Sequence, residues 1–229
     1  MLIMKWCENM DNMIGFMKIM QSVDAFFFFF SFTLSNGLES YVLEDWIRTP
    51  EDLKLYLDGF LHTFCYQDLG LMHLAYEHAD DKEFIAKLHE LAGAMKIPME
   101  VRMGSNRMGK RFVKALERMD DKAPLVEWYK DDFHPIALGI YASFCGIDEE
   151  QLLTMYGYGT ISAIVNNAVK LVPLSQMEGQ RILHGCFEVL EQCVKKTLGV
   201  TIDELGVSAV ANDIHCMRHE RLYTRQYMS

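Results

Sequence analysis

Apolar residues recur at three- and four-residue intervals over most of this chain, the spacing that gathers them on one face of a helix. The row Leu183, Phe187, Leu190 and Val194 predicts a helix running from the break at Pro173 to about Leu198, with Gly199 as its terminator. Extended backwards, the same row takes in Gln176 and Gln180, so two amides begin a stripe that then becomes purely apolar. A buried amide without partners costs about 1–3 kcal/mol. The pair is therefore either bonded to a neighbouring helix at the edge of the core or displayed on a surface at the Pro173 break. Periodicity leaves both open.

The same pattern marks out the other elements. Thr49-Pro50-Glu51-Asp52 is a helix start, with threonine as N-cap, proline at the first helical position and acids in the first turn. The helix it opens carries Leu53, Leu57, Phe60, Leu61 and Phe64 and is expected to continue past Gly70 towards Tyr76. Asp80 or Asp81 opens the next, with Phe84, Leu88, Leu91 and Met95 inward and Pro98 as its stop. From Met99 to Met119, Val101, Met108, Phe112, Leu116 and Met119 share one side, and Arg107, Lys110, Arg111, Lys114 and Arg118 the other. His134-Pro135 starts an apolar helix ending at Gly146, and Asp148 caps a helix leading to Pro173. Ser208 begins a last helix, and the polar, basic residues from Arg218 onward read as an exposed tail. No segment reads as a strand and no linker divides the chain. The expectation is one compact all-α domain of about ten helices.

Two stretches fall outside this pattern. Residues 1–22 are rich in methionine and weakly helical, a segment suited to adaptable packing against a partner. The five phenylalanines Phe26 to Phe30 have no periodicity and, if exposed, are an aggregation liability. A division follows into a Met-rich segment (1–22), a helical body (23–207), and a C-terminal helix and tail (208–229).

Composition narrows the classes. Among 229 residues, 32 are acidic and 22 basic, which argues against a nucleic-acid binder that relies on overall charge. The six cysteines are scattered without a CxxC, as in a reduced, cytoplasmic protein with buried thiols. The longest apolar run is far short of the roughly 20 residues a membrane-spanning helix needs, and Glu8, Asp11 and Asp24 interrupt any signal-peptide pattern.

Several clusters could carry chemistry. His215 and His219 lie four apart with Cys216 between them and Asp213 before, a spacing expected of a surface helix, or of a metal site that is incomplete without further ligands. His184 and Cys186, two apart, point to different sides of a helix. Lys170 and Asn166-Asn167 interrupt an apolar helix just before Pro173, as a helix-end lysine or an interface contact would. The basic stripe from Arg107 to Arg118 is either a solvated face or, in a chain this acidic, a docking face for protein. GSNRMGK at 104–110 lacks the strand and spacing of a phosphate-binding loop, and no nucleophile elbow or HExxH occurs. The absence of catalytic motifs favours a binding protein.

Four segments together resemble the UreF family of urease accessory proteins: Asp24 with SFTLSNGLESYV at 31–42, EVRMGSNRMGKRFVKAL at 100–116, AVKLVPLSQMEGQRIL at 168–183, and DIHCMRHERLYTRQYMS at 213–229. With His134 and Gly139 they occur in consistent order from about residue 17 to the C-terminus. Phe28 and Phe30 stand where the family has proline and glycine, and Ala25 where it has serine. The resemblance implies an all-α dimer in the cytoplasm, a non-enzymatic scaffold in nickel-dependent urease maturation. It implies binding of the UreD/UreH accessory protein through the C-terminal tail and recruitment of the GTPase UreG. The complex handles the nickel destined for apo-urease, and this chain binds no cofactor directly. Arg218, His219, Glu220, Leu222, Tyr223 and Arg225 are then the expected UreD/UreH contact. Gly37, Glu39 and Tyr41, with Lys170, Gln176 and Gln180, are the surfaces expected around the other motifs. Two rival functions remain: a nickel carrier using His215, Cys216 and His219 across a dimer, and a helical enzyme with a hidden site.

Overall fold

The computed structural model describes residues 13–18, 20–22, 35–119, 133–207, 209–223 and 225–227. Asp24, the phenylalanine run, residues 31–34 of the first motif and Ser208 lie outside them. Among the described residues the chain is all-helical, with no strand, and no helix is long and apolar enough to cross a membrane. After helical residues at 13–18 and 20–22 come α1 (Leu38–Leu43), α2 (Pro50–Phe64), α3 (Asp68–Glu77), α4 (Lys82–Met95), α5 (Met99–Met119) and α6 (His134–Phe144). Then follow α7 (Glu149–Leu171), α8 (Gln176–Gly185), α9 (Phe187–Thr197), a short 3-10 turn (Ile202–Glu204) and α10 (Val210–His219).

The caps explain where most helices begin. Thr49 Oγ1 accepts from the Asp52 amide while the Asp52 carboxylate accepts from the Thr49 amide, and Pro50 follows at the first position. Asp81 and Asp148 satisfy the opening amides of α4 and α7, and Ser175 with Glu178 forms a second reciprocal cap on α8. Each such cap contributes about 1 kcal/mol.

At the centre lie α3 and α6, buried on almost every side: Leu69 to Ala75 on one and His134 to Ala142 on the other. They touch at Gly139, where a Cβ would stand 2.4 Å from the Met72 carbonyl oxygen. Only hydrogen on that Cα lets the two backbones come so close. This also explains why α2 does not run on to Tyr76 as expected: the chain turns at Cys65–Gln67. An amphipathic surface helix cannot continue along its own axis and become buried all round, so α3 starts afresh in a new direction.

The helix expected from Gln176 to Leu198 is likewise two. The backbone turns at Cys186 (φ −89°, ψ −7°), and α8 and α9 bury separate faces. Leu183, Leu190 and Val194 are buried as the stripe predicts, but the turn swings Phe187 outward, where it lies against His184 and Tyr158. Gln176 and Gln180 are exposed, so the amides belong to the surface. On α5, Phe112 and Leu116 are buried and Met119 is exposed, because the helix outlasts the core it packs on.

Charge also enters the interior. Lys96 Nζ donates to Asp68 Oδ1, whose other oxygen accepts from Tyr156 at 3.4 Å. These groups, with His134 and Cys216, line a partly open cleft of about 120 Å³. Burial pushes the His134 imidazole down to about 3 against an upward pull from Asp68, with Lys96 adding a smaller downward one, so it is neutral at physiological pH.

The close approach at Gly139 is directly testable. Gly139→Ala is expected to destabilise the protein by about 2–3 kcal/mol in urea unfolding, since backbone rather than a flexible side chain must move. An unchanged midpoint would mean that α3 and α6 are free to part.

Candidate partner-docking site

The site begins with a turn. Gly37 has φ +83°, the left-handed region, and a Cβ there would meet Cys216 Sγ at 3.1 Å. Glycine thus both makes the turn into α1 and lets α1 lie against α10. The first turn of α1 is directed inward, so Leu38, Glu39 and Ser40 are buried.

Glu39 is 2% exposed, and an unpaired carboxylate there would cost several kcal/mol. It is fully partnered. Oε2 lies 2.9 Å from His219 Nε2 and accepts from the Tyr227 amide at 3.2 Å, and Oε1 accepts from the Gln226 amide at 2.8 Å. His219, wholly buried, turns Nδ1 to Glu100 Oε2 at 2.7 Å. Arg225 Nη1 donates to the other Glu100 oxygen at 2.6 Å. Each ring nitrogen thus faces a carboxylate oxygen, and the imidazole bridges the two glutamates. Two carboxylates thus share one imidazole ring, with the Arg225 guanidinium paired to Glu100 at the rim.

Further contacts fasten the tail along its length. Glu220 Oε1 accepts from the Met99 amide, capping α5, and Arg218 pairs with Glu44. Tyr227 Oη donates to the Asn167 carbonyl oxygen at 3.4 Å. The C-terminal residues expected as a free tail are therefore docked on α1, α5 and α7. Three of the four motif segments meet at the Glu39–His219–Glu100 cluster, and Tyr227 reaches the helix that leads into the fourth.

The remaining candidates are placed as follows. Tyr41 stacks on His215 with ring centroids 3.6 Å apart, and His215 Nδ1 lies 3.8 Å from Glu44. Desolvation is the largest cause lowering the His215 pKa, and the main cause raising that of Tyr41. Burial, then Asp213, Glu100 and Glu220, pushes the Cys216 thiol up to about 12. Both His219 nitrogens are taken. Among the described residues, His215, Cys216 and His219 do not converge within one chain; the group that does is His73, Glu77 and Glu149. His184 is exposed while Cys186 is buried. Lys170 is exposed in the last turn of α7, near the exposed Gln176 and Gln180 in sequence. Arg107, Lys110, Arg111, Lys114 and Arg118 lie on the exposed face of α5, and GSNRMGK is helical.

Periodicity did not identify the outer face of α10. Its buried side is polar or sulfur-bearing (His215, Cys216, His219), so Val210, Ile214 and Met217, spaced i, i+4, i+7, face out. The apolar spacing was present in the sequence, but a helix stripe is ordinarily read as core. Next to it Tyr41, Trp46, Leu55, Tyr56, Val210 and Asn212 line a groove of about 440 Å³. Beyond α10, Leu222 is half-buried and the Tyr223 ring is fully exposed. An exposed apolar stripe, an aromatic groove and a free tyrosine on an anchored tail form a surface suited to gripping another protein.

The UreF family model matches residues 47–187. The chain is 33% identical over 208 residues to the urease accessory protein UreF of Actinobacillus pleuropneumoniae serotype 5b (strain L20), covering 86% of this chain and 92% of that one. It is 32% identical to the protein of that name from Haemophilus influenzae (strain PittGG), covering 86% and 88%. Its identity to the one from Sporosarcina pasteurii is 25%, covering 84% and 100%.

Glu39→Gln removes the charge that His219 and two tail amides share. It is expected to cost on the order of 3 kcal/mol and to speed hydrogen exchange at the Gln226 and Tyr227 amides at least tenfold. Wild-type protection at those amides would show that other contacts hold the tail.

Proposed function

The chain belongs to the UreF family of urease accessory proteins, and on that premise we propose that it is a non-enzymatic scaffold in urease maturation. In this reading it joins the UreD/UreH accessory protein to the GTPase UreG in a cytoplasmic complex, as a homodimer, and helps nickel reach apo-urease. Nickel is cargo of the complex, and the chain carries no resident cofactor. The observation that carries the reading is the anchored tail: a buried ionic cluster holds its backbone while Tyr223 and the α10 stripe stand free.

The tail residues then divide by role. His219 and Glu220 face inward, on Glu39 and Glu100 and on the Met99 amide respectively, and Glu39 faces them from α1. These residues position the surface. Arg218 and Arg225 are partly exposed beside their glutamates and supply positive charge at the rim. Tyr223 with Leu222 supplies the contact, tyrosine being a frequent anchor at interface centres. Gly37 and Tyr41 shape the adjoining groove. The exposed Lys170, Gln176 and Gln180 form a second surface, open to another member of the complex.

A pre-ordered tail binds at lower entropic cost than a free one. Tyr223→Ala is expected to weaken capture of UreD/UreH at least tenfold while leaving the thermal midpoint within about 1 °C of wild type, since the ring touches little of its own chain. Undiminished capture by that variant rejects the tail as the contact. Restored urease activation in cells lacking their own UreF tests the scaffold role itself.

A further inference from the structure

We propose that His73, Glu77 and Glu149 form a binding site for one divalent transition-metal ion of the zinc or nickel type. His73 and Glu77 stand i, i+4 at the end of α3, and Glu149 opens α7 across from them. One ligand atom from each lies within 4.8 Å of the others. The site shares no residue with the tail cluster and does not rest on the docking role.

The geometry does more than bring ligands together. Glu149 Oε1 lies 2.6 Å from His73 Nδ1, and a carboxylate there accepts the Nδ1 proton. That bond fixes the tautomer in which Nε2 keeps its lone pair, the arrangement in which an outer carboxylate orients a metal-binding histidine. Nε2 faces Glu77 Oε2 at 3.9 Å, beyond hydrogen-bond reach. A cation bound at about 2.0–2.2 Å to each atom spans such a gap after a small rotation of Glu77. The His73 ring is nearly buried and Glu149 mostly so, whereas Glu77 is half exposed. One ligand is thus rigid, and one side is open for the ion to enter with waters completing its shell.

Charge and donor type select the ion. Asp148, Glu149 and Glu150 crowd the start of α7 with negative charge. An imidazole with carboxylates suits zinc, nickel or cobalt; magnesium and calcium prefer oxygen alone, and copper(I) prefers sulfur. The competing arrangement is a protonated His73 paired with both glutamates and closed to metal.

The test is calorimetric titration of the full-length protein with zinc chloride and, separately, nickel chloride. The expected result is one ion per chain, bound at least tenfold more weakly by Glu77→Gln, and about 10–100-fold more weakly by Glu149→Gln through loss of imidazole orientation. Cys216→Ser leaves binding unchanged, and X-ray absorption of the loaded protein shows nitrogen and oxygen ligands with one imidazole and no sulfur. Glu77 is exposed, so Glu77→Gln keeps the wild-type unfolding temperature and decides the matter if Glu149→Gln fails to fold. No binding at concentrations up to about 100 µM, or equal binding by Glu77→Gln, overturns the site.

Discussion

A buried carboxylate needs partners, and Glu39 finds all of its partners in the last residues of the chain. His219, Gln226 and Tyr227 converge on it from a segment about 180 positions away in sequence. Without the tail, Glu39 would lose the imidazole and the two backbone amides that hold it. Without Glu39, the two tail amides and one side of the imidazole ring would lose their partner. Each explains the other. Glu100 closes the arrangement from the opposite side of the ring and pairs with Arg225.

The cluster exists because the body holds its glutamates in place. Gly37 makes the left-handed turn that directs Glu39 inward, and it leaves room for Cys216. Glu100 sits in the first turn of α5, whose opening amide is capped by Glu220 from the tail itself. Beneath lies the tight α3–α6 pair, joined at Gly139. A rigid core thus presents two fixed carboxylates, and the tail settles into the geometry they define. What remains outside is the face the cluster does not use: Val210, Ile214, Met217 and Tyr223.

Much of this was legible in the residues before any coordinates. Thr49, Asp148 and Pro98 mark helix boundaries through local chemistry, and the all-helical class follows from apolar spacing. The turns at Cys65–Gln67 and Gly185–Cys186 were not legible, because each is decided by what the following segment must pack on. The resemblance singled out Glu39, Glu220, Arg225 and His219, but not that the first two and His219 serve by facing inward. For α10 the usual rule runs backwards. Its apolar stripe is outside because two glutamates, distant in sequence, await its histidine inside, and no window of local sequence contains that information. The Phe26–Phe30 run, where the chain departs from the family pattern, lies beyond the described residues.

In the proposed scaffold, the buried cluster acts on partner binding through the tail it holds. A double-mutant cycle measures this directly, with affinity for UreD/UreH determined for wild type, Glu39→Gln, Tyr223→Ala and the pair. If the cluster works by displaying Tyr223, then Tyr223→Ala costs at least tenfold in the wild-type background and little once Glu39→Gln has freed the tail. Independent effects that simply add would contradict the claim, because Glu39 and Tyr223 would then be separate features of the molecule.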